Sequence, residues 1–126
     1  MPFTAQSKGD VVIVKISARR LDIRVTPEFK TRLVHLAQHG HERIVVDMAA
    51  LEFIDSSGLG ALIAGLKALG GRGEMVLCGI PPRLLSLFTL THVDKLFHIV
   101  DSLEDAVDGL VTSSTSHPAY FPCPPA

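Results

Sequence analysis

The chain has 126 residues, enough for one domain with one core, since single domains run from roughly 50 to 250 residues. Hydrophobic residues make up 47% and charged residues 20%, an ordinary globular balance that argues against disorder before residue 111. Twelve basic and thirteen acidic side chains leave a formal charge of −1 with no block of like charges, so a nucleic-acid partner has no electrostatic footprint.

The start of the chain carries no cationic segment leading into an apolar one, and no run approaches the roughly 18 apolar residues of a membrane span. Two cysteines, Cys78 in an apolar run and Cys123 in a proline-rich tail, do not make a disulfide framework. The expectation is a cytoplasmic protein that is neither secreted nor membrane-bound.

Phe3 to Gln6 and Val11 to Ile16 are β-prone runs around the turn-rich Ser7-Lys8-Gly9-Asp10, which predicts a hairpin. Thr26 and Pro27 read as the cap and first residue of a helix whose apolar positions are Phe29, Leu33, Leu36 and Ala37, stopped by Gly40. Ile44 to Met48 is compact and β-branched, as for a strand covered on both faces. A second helix, Leu59 to Leu69, is entered through Asp55-Ser56-Ser57 and ended by Gly70-Gly71. Glu74 to Ile80 predicts a strand, Pro81-Pro82 opens a helix bearing Leu84, Leu85, Leu87 and Phe88, and Leu96 to Val100 predicts the last strand. Ser102 and Asp105 form a capping-box-like start for a final helix with Leu103, Ala106, Val107 and Leu110.

After the hairpin, strands and helices alternate. The predicted fold is therefore α/β, a single domain over residues 1–111 with a mixed sheet of four or five strands, about four helices and right-handed crossovers. Residues 112–126, with Ser, Thr and four prolines, read as a disordered tail that contributes little to folding.

The most informative segment is Phe53-Ile54-Asp55-Ser56-Ser57-Gly58-Leu59-Gly60-Ala61-Leu62, joining a strand region to a helix. Its plain reading is a helix cap, in which Asp and Ser oxygens accept from the first orphan N–H groups. The same physics gives a functional one: a helix N-terminus tolerates an added phosphate, and Gly58 and Gly60 leave the hydroxyl open to approach. The helix that follows is apolar nearly all round, with Lys67 alone clearly polar, so it is either covered on several sides or offers its first turns to a partner.

Competing chemistries find less support. His35, His39 and His41 include an i, i+4 pair suited to a metal, yet no third ligand type accompanies them, and no metal or other cofactor is expected. Gly70-Gly71-Arg72-Gly73 lacks a P-loop's Lys-Ser or Lys-Thr ending and precedes a strand. A serine hydrolase would need a Gly-x-Ser-x-Gly elbow, which is absent, and Asp55 next to Ser56 cannot orient a histidine.

Val12 to Ile16, Leu21-Asp22, Ile44 to Met48, the Ile54 to Leu62 motif, Gly73 to Cys78 and Leu96 to Ile99 together resemble the STAS domain of bacterial anti-sigma factor antagonists, over roughly residues 3–111. The resemblance implies a non-enzymatic regulator working by partner switching. Unphosphorylated, it binds an anti-sigma serine kinase of the histidine-kinase-like ATPase type. Phosphorylation on Ser56 releases it, and a PP2C-type phosphatase reverses the modification. Carried over by position, Asp22, Asp55, Ser57, Gly58, Leu59, Gly60 and Leu62 form the partner-binding surface. Arg19 and Arg20 depart from the family pattern, where many members have glycine and glutamate, and two cations there could alter kinase choice or pair with the phosphoserine. The alternative within the family is a nucleotide-binding or transporter-associated STAS module.

Overall fold

The computed structural model describes residues 2–113, with side chains through residue 109. Its elements are β1 (Phe3–Lys8), β2 (Val11–Ile16), β3 (Arg20–Leu21), α1 (Thr26–Gln38), β4 (Arg43–Asp47), β5 (Phe53–Ile54), α2 (Ser56–Leu69), β6 (Glu74–Cys78), α3 (Pro82–Leu90), β7 (His98–Val100) and α4 (Leu103–Ser113). The main sheet has the order β1-β2-β4-β6-β7, and β3 pairs with β5 in a separate two-stranded ribbon. The β1–β2 hairpin is antiparallel and the remaining pairs are parallel, giving the expected mixed sheet. The expected helices are present, four in the described residues.

Side-chain alternation sorts the core into two clusters. Val12, Val14, Ile16, Ile44, Val46, Met48, Met75 and Leu77 lie in one with Phe29 and Leu33 of α1, Leu62 and Leu69 of α2, and Leu84 and Phe88 of α3. Val11, Val45, Val76 and Cys78 lie in the other, with Ala106 and Val107 of α4. Burial pushes the Cys78 thiol up to about 12, and the neighbouring Asp47 charge adds to the effect, so this cysteine is a core side chain and not a reactive one. Strand β4 is buried from Ile44 to Asp47, which is why its sequence reads as a continuous apolar run.

Several boundaries differ from the sequence reading. The hairpin strand β1 continues through Ser7 and Lys8, so the turn narrows to Gly9-Asp10, with Gly9 at φ 63°. Strand β6 stops at Cys78 because Gly79 turns the chain at φ 70°. Val93–Lys95 form a 3-10 turn, so β7 begins only at His98. Thr26 is not the cap of α1: the cap position falls on Val25, with no side-chain bond, and Thr26 is buried inside the first turn. Ser102 does cap α4, accepting from the Asp105 N–H at 3.1 Å. Helix α4 extends to Ser113, and the rest of the expected tail, with Cys123, lies outside the described residues.

The ribbon of β3 and β5 went unread in the sequence because each strand has two residues. It matters for position. The chain leaves the carboxyl ends of the parallel strands β2 and β4 and passes through the ribbon, and then α1 and α2 begin side by side. Leu21 pairs with Ile54, and the Arg19 carbonyl accepts from the N–H groups of Glu52 at 2.7 Å and Phe53 at 3.1 Å. Loops at the carboxyl ends of parallel strands are the usual place for a site in α/β folds.

Candidate functional site

The start of α2 is organised by Asp55. It is the N-cap residue, in extended conformation, and its Oδ1 accepts from the Gly58 N–H at 3.0 Å and from the Ser57 hydroxyl at 2.5 Å. The Ser57 hydroxyl, followed by the Gly58 N–H, holds the Asp55 carboxyl below the usual range, and the backbone N–H groups of Ser57 and Ile23 contribute further. Asp55 is thus a charged cap for α2, and its own N–H donates to the Leu21 carbonyl at 3.3 Å, tying it to the segment before α1.

Ser57 is half-buried and continues the network, its Oγ lying 3.1 Å from the Thr26 hydroxyl. Thr26 in turn lies 2.8 Å from the Asp22 carbonyl, which also accepts from the N–H groups of Val25 and Thr26. Two hydroxyl protons serve three contacts here. Since the Asp55 carboxylate can only accept, the Ser57 proton belongs to it and the Thr26 proton links Ser57 or Asp22. The Thr26 that looked like a helix cap instead turns its hydroxyl to the Asp22 carbonyl and the Ser57 hydroxyl, where α1 meets α2.

Ser56 is different. As the first residue of α2 it is exposed, and among the described residues its hydroxyl has no hydrogen-bond partner. The adjacent serines therefore divide the work: one is locked in the structure and the other is presented to solvent at the positive end of a 14-residue helix.

Asp22 completes the site from the other loop. Its side chain is 12% exposed and takes the Arg24 guanidinium at 3.1 Å, the Arg24 N–H at 3.1 Å and Arg20 Nε at 3.4 Å. Those bonds, Arg24 first, hold its carboxyl below the usual range, and they raise Arg24 in turn. Arg20 also lies over the Phe53 ring, 4.3 Å from its centroid, while Arg19 faces Glu52 at 3.8 Å. Both unusual arginines thus have partners already.

The expected partner surface needs three corrections. Leu62 is fully buried and Leu59 nearly so, both in the core cluster, because the apolar stripe of α2 faces α1 and the sheet. Gly58 is not an opening for a partner: a Cβ there would lie 2.7 Å from Ile54 Cγ1 and 2.8 Å from the Leu21 carbonyl, so it lets the ribbon pack on α2. Of the two glycines, only Gly60 is open, exposed and with nothing within 4 Å of the place a Cβ would take. What the sequence reading did not assign to the surface are Ile23, 65% exposed, and Phe53, 38% exposed, which place apolar surface beside the N-terminal end of α2. Phe53 opens the motif segment and Ile23 follows Asp22, but neither a lone loop residue nor a two-residue strand carries a period that marks exposure.

The histidines do not gather. His35 and His39 rings stack with centroids 4.0 Å apart, His41 lies beyond the helix, and among the described residues no group of three or more His, Cys, Asp or Glu could hold a metal. Among those residues, too, no helix is long and apolar enough to cross a membrane.

The family model of the STAS domain matches residues 2–106. The chain belongs to the STAS domain family. An anti-sigma-B factor antagonist of Staphylococcus epidermidis is 31% identical over 96 residues, covering 75% of this chain and 88% of the relative. The crystal structure of an anti-sigma factor antagonist from Mycobacterium paratuberculosis superposes with a TM-score of 0.79 at 24% identity, covering 86% of this chain and 92% of that one. SpoIIAA, the Bacillus cell fate determinant, in its phosphorylated form superposes at 0.68 with 19% identity, covering 86% and 98%. These two likenesses carry the STAS fold to this chain.

Proposed function

We propose that this STAS protein is an anti-sigma factor antagonist that captures a serine kinase of the histidine-kinase-like ATPase type and is released when that kinase phosphorylates Ser56. The observation that carries the reading is the contrast at the start of α2, where Ser57 is bound to Asp55 and Thr26 while Ser56 is exposed and unpartnered among the described residues. An anti-sigma-B factor antagonist among the relatives, and the structure of SpoIIAA in a phosphorylated form, support it. The protein is then a kinase substrate and binding module without catalysis of its own, acting in the cytoplasm, and a PP2C-type phosphatase resets it.

The partner-facing surface, revised by burial, is Ile23, Phe53, Asp55, Ser56, Ser57 and Gly60, with Asp22, Gly58, Leu59 and Leu62 shaping it from beneath. Its apolar members favour a neutral interface. A phosphoserine adds about −1.5 to −2 charges, suits the dipole of its own helix, and must lose water against a partner shaped for a hydroxyl. Weakening binding roughly 100-fold takes about 2.8 kcal/mol, within the cost of burying an imperfectly paired charge. The fold stays intact while the complex breaks.

The test is to incubate the chain with its cognate kinase and ATP, map the phosphate by mass spectrometry, and measure affinity by calorimetry for wild type, Ser56→Ala and Ser56→Asp. Label on Ser56, tight binding by Ser56→Ala and weakened binding by Ser56→Asp are expected. Label persisting on Ser56→Ala moves the acceptor elsewhere.

A further inference from the structure

The segment that lines the entrance to α2 carries three arginines, and they are not equivalently held. Arg19 faces Glu52 at 3.8 Å, both side chains well exposed. Arg20 is fixed twice, by Asp22 and by the face of Phe53. Arg24 has one side-chain partner among the described residues, Asp22, through Nη2 at 3.1 Å and Nε at 3.5 Å, and its side chain is 76% exposed. The loop that carries Arg24 lies against the residues on either side of Ser56: the Asp55 N–H donates to the Leu21 carbonyl at 3.3 Å, and the Ser57 hydroxyl lies 3.1 Å from that of Thr26. Arg24 thus sits in the loop between two contacts, at Leu21 and Thr26, that bracket the acceptor, with its side chain 76% exposed.

We infer that, when Ser56 is phosphorylated, Arg24 leaves the Asp22 side chain for the phosphate, so that the chain carries its own receptor for its phosphoserine. This rests on the reading of Ser56 as the acceptor. A phosphate brings three strong acceptor oxygens and up to about two charges, against one charge on Asp22, and bidentate arginine pairing favours the stronger anion. The exchange does not strand Asp22, which keeps the Arg24 N–H at 3.1 Å and Arg20 Nε at 3.4 Å. Phosphorylation then changes the partner surface in two places at once: it adds the dianion at position 56 and removes one of the two cations that mask the Asp22 carboxylate. The arginine stays on the same face, so the charge gained is that of the phosphate, and the exchange redistributes it between position 56 and the uncovered Asp22 carboxylate.

The experiment removes the kinase from the question. Phosphoserine is incorporated genetically at position 56 of the full chain, the phosphate is titrated by phosphorus NMR, and the Arg24 Nε–Hε resonance is followed in the same samples. The Arg24 resonance is expected to move with the midpoint of the phosphate titration. The second phosphate pKa in the otherwise unchanged chain is expected about half a pH unit below that in R24Q, the scale of an exposed ion pair. R24K, which keeps the charge and loses the fork, should fall between them. An Arg24 resonance that stays flat across the titration, or equal pKa values with and without Arg24, overturns the exchange. If R24Q does not fold, the Arg24 resonance in the chain with native arginine decides alone. A wrong kinase site would instead appear as label away from Ser56 in the enzymatic assay, which is a separate result.

Discussion

Helices α1 and α2 begin side by side at the same end of the sheet, and they are closed off by opposite means. Helix α2 has a charged side-chain cap, Asp55, which satisfies the Gly58 N–H and takes the Ser57 hydroxyl. Helix α1 has no side-chain cap; its first turn is closed by backbone bonds from Val25 and Thr26 to the Asp22 carbonyl, while the hydroxyl of Thr26 turns toward α2. The difference shows how a serine becomes available. Because Asp55 performs the capping and Thr26 and Ser57 meet between the two helices, the exposed Ser56 hydroxyl is left without a hydrogen bond among the described residues.

The largest test of this comparison contrasts two glycines in the first turn of α2. Gly58→Ala places a methyl 2.7 Å from Ile54 Cγ1 and 2.8 Å from the Leu21 carbonyl, with backbone as one of the obstacles. It should destabilise the domain by about 1–3 kcal/mol, the usual range for overpacking, visible as a lower urea midpoint with an unchanged slope. Gly60→Ala meets nothing within 4 Å and should stabilise by up to about 1 kcal/mol through helix propensity. Its methyl stands on the proposed kinase surface, so binding should fall while stability rises. Equal stability effects at the two glycines would contradict the packed ribbon.

The contrast also marks what the sequence could reveal. The alternation of strands and helices was legible because each long element carries its own period, as in α1 with Phe29, Leu33, Leu36 and Ala37 buried. A cap within Asp55-Ser56-Ser57, and Ser102 as the cap of the last helix, were legible because a polar residue before an apolar helix has few other uses; that Asp55 is the one that caps is settled by the structure. Thr26 misled for a physical reason: with Pro27 after it, it has the local chemistry of a cap, but its hydroxyl bonds back to the Asp22 carbonyl at 2.8 Å and meets Ser57, 31 residues away, at 3.1 Å. Leu62 misled similarly, since motif membership says nothing about which face of α2 meets the core. The exposure of Ile23 and Phe53 depends on the two-residue ribbon, which is too short to leave a pattern.

A double-mutant cycle sharpens the comparison at a smaller scale. Thr26→Val and Ser57→Ala each remove a hydroxyl from the link between the helices and should each cost about 1 kcal/mol, the net worth of a hydrogen bond. The pair should cost less than the sum by about 0.5 kcal/mol or more, because each single change already breaks the shared contact. Strict additivity would mean that α1 and α2 are not joined through these hydroxyls.

Acid titration probes both loops together. Asp55 and Asp22 have folded-state pKa values below their unfolded ones, through Ser57 and Gly58 in one case and through Arg24 in the other. Their contribution to stability is therefore complete above the unfolded aspartate pKa, about 3.9, and is lost as pH falls from there through the depressed folded values. Thermal unfolding should show the loss in that window. Asp55→Asn should flatten the dependence there, as should Asp22→Asn; a variant that keeps the wild-type slope would remove its residue from the cap or the arginine cluster.

The smallest expected effect is the most telling for function. Ser56→Ala removes a hydroxyl that is exposed and has no hydrogen-bond partner among the described residues, so stability should move by no more than about 0.5 kcal/mol. Ser56→Asp adds a negative charge where the α2 dipole welcomes it and Asp55 opposes it, so its net effect should be similarly small. Ser57→Ala, one residue on, should be clearly more destabilising than either, since it deprives Asp55 and Thr26 of a shared partner. Urea unfolding of the three variants side by side checks the order. If Ser56→Ala costs as much as Ser57→Ala, the Ser56 hydroxyl is holding structure, and a phosphate placed on it would disturb the fold before it disturbed any partner.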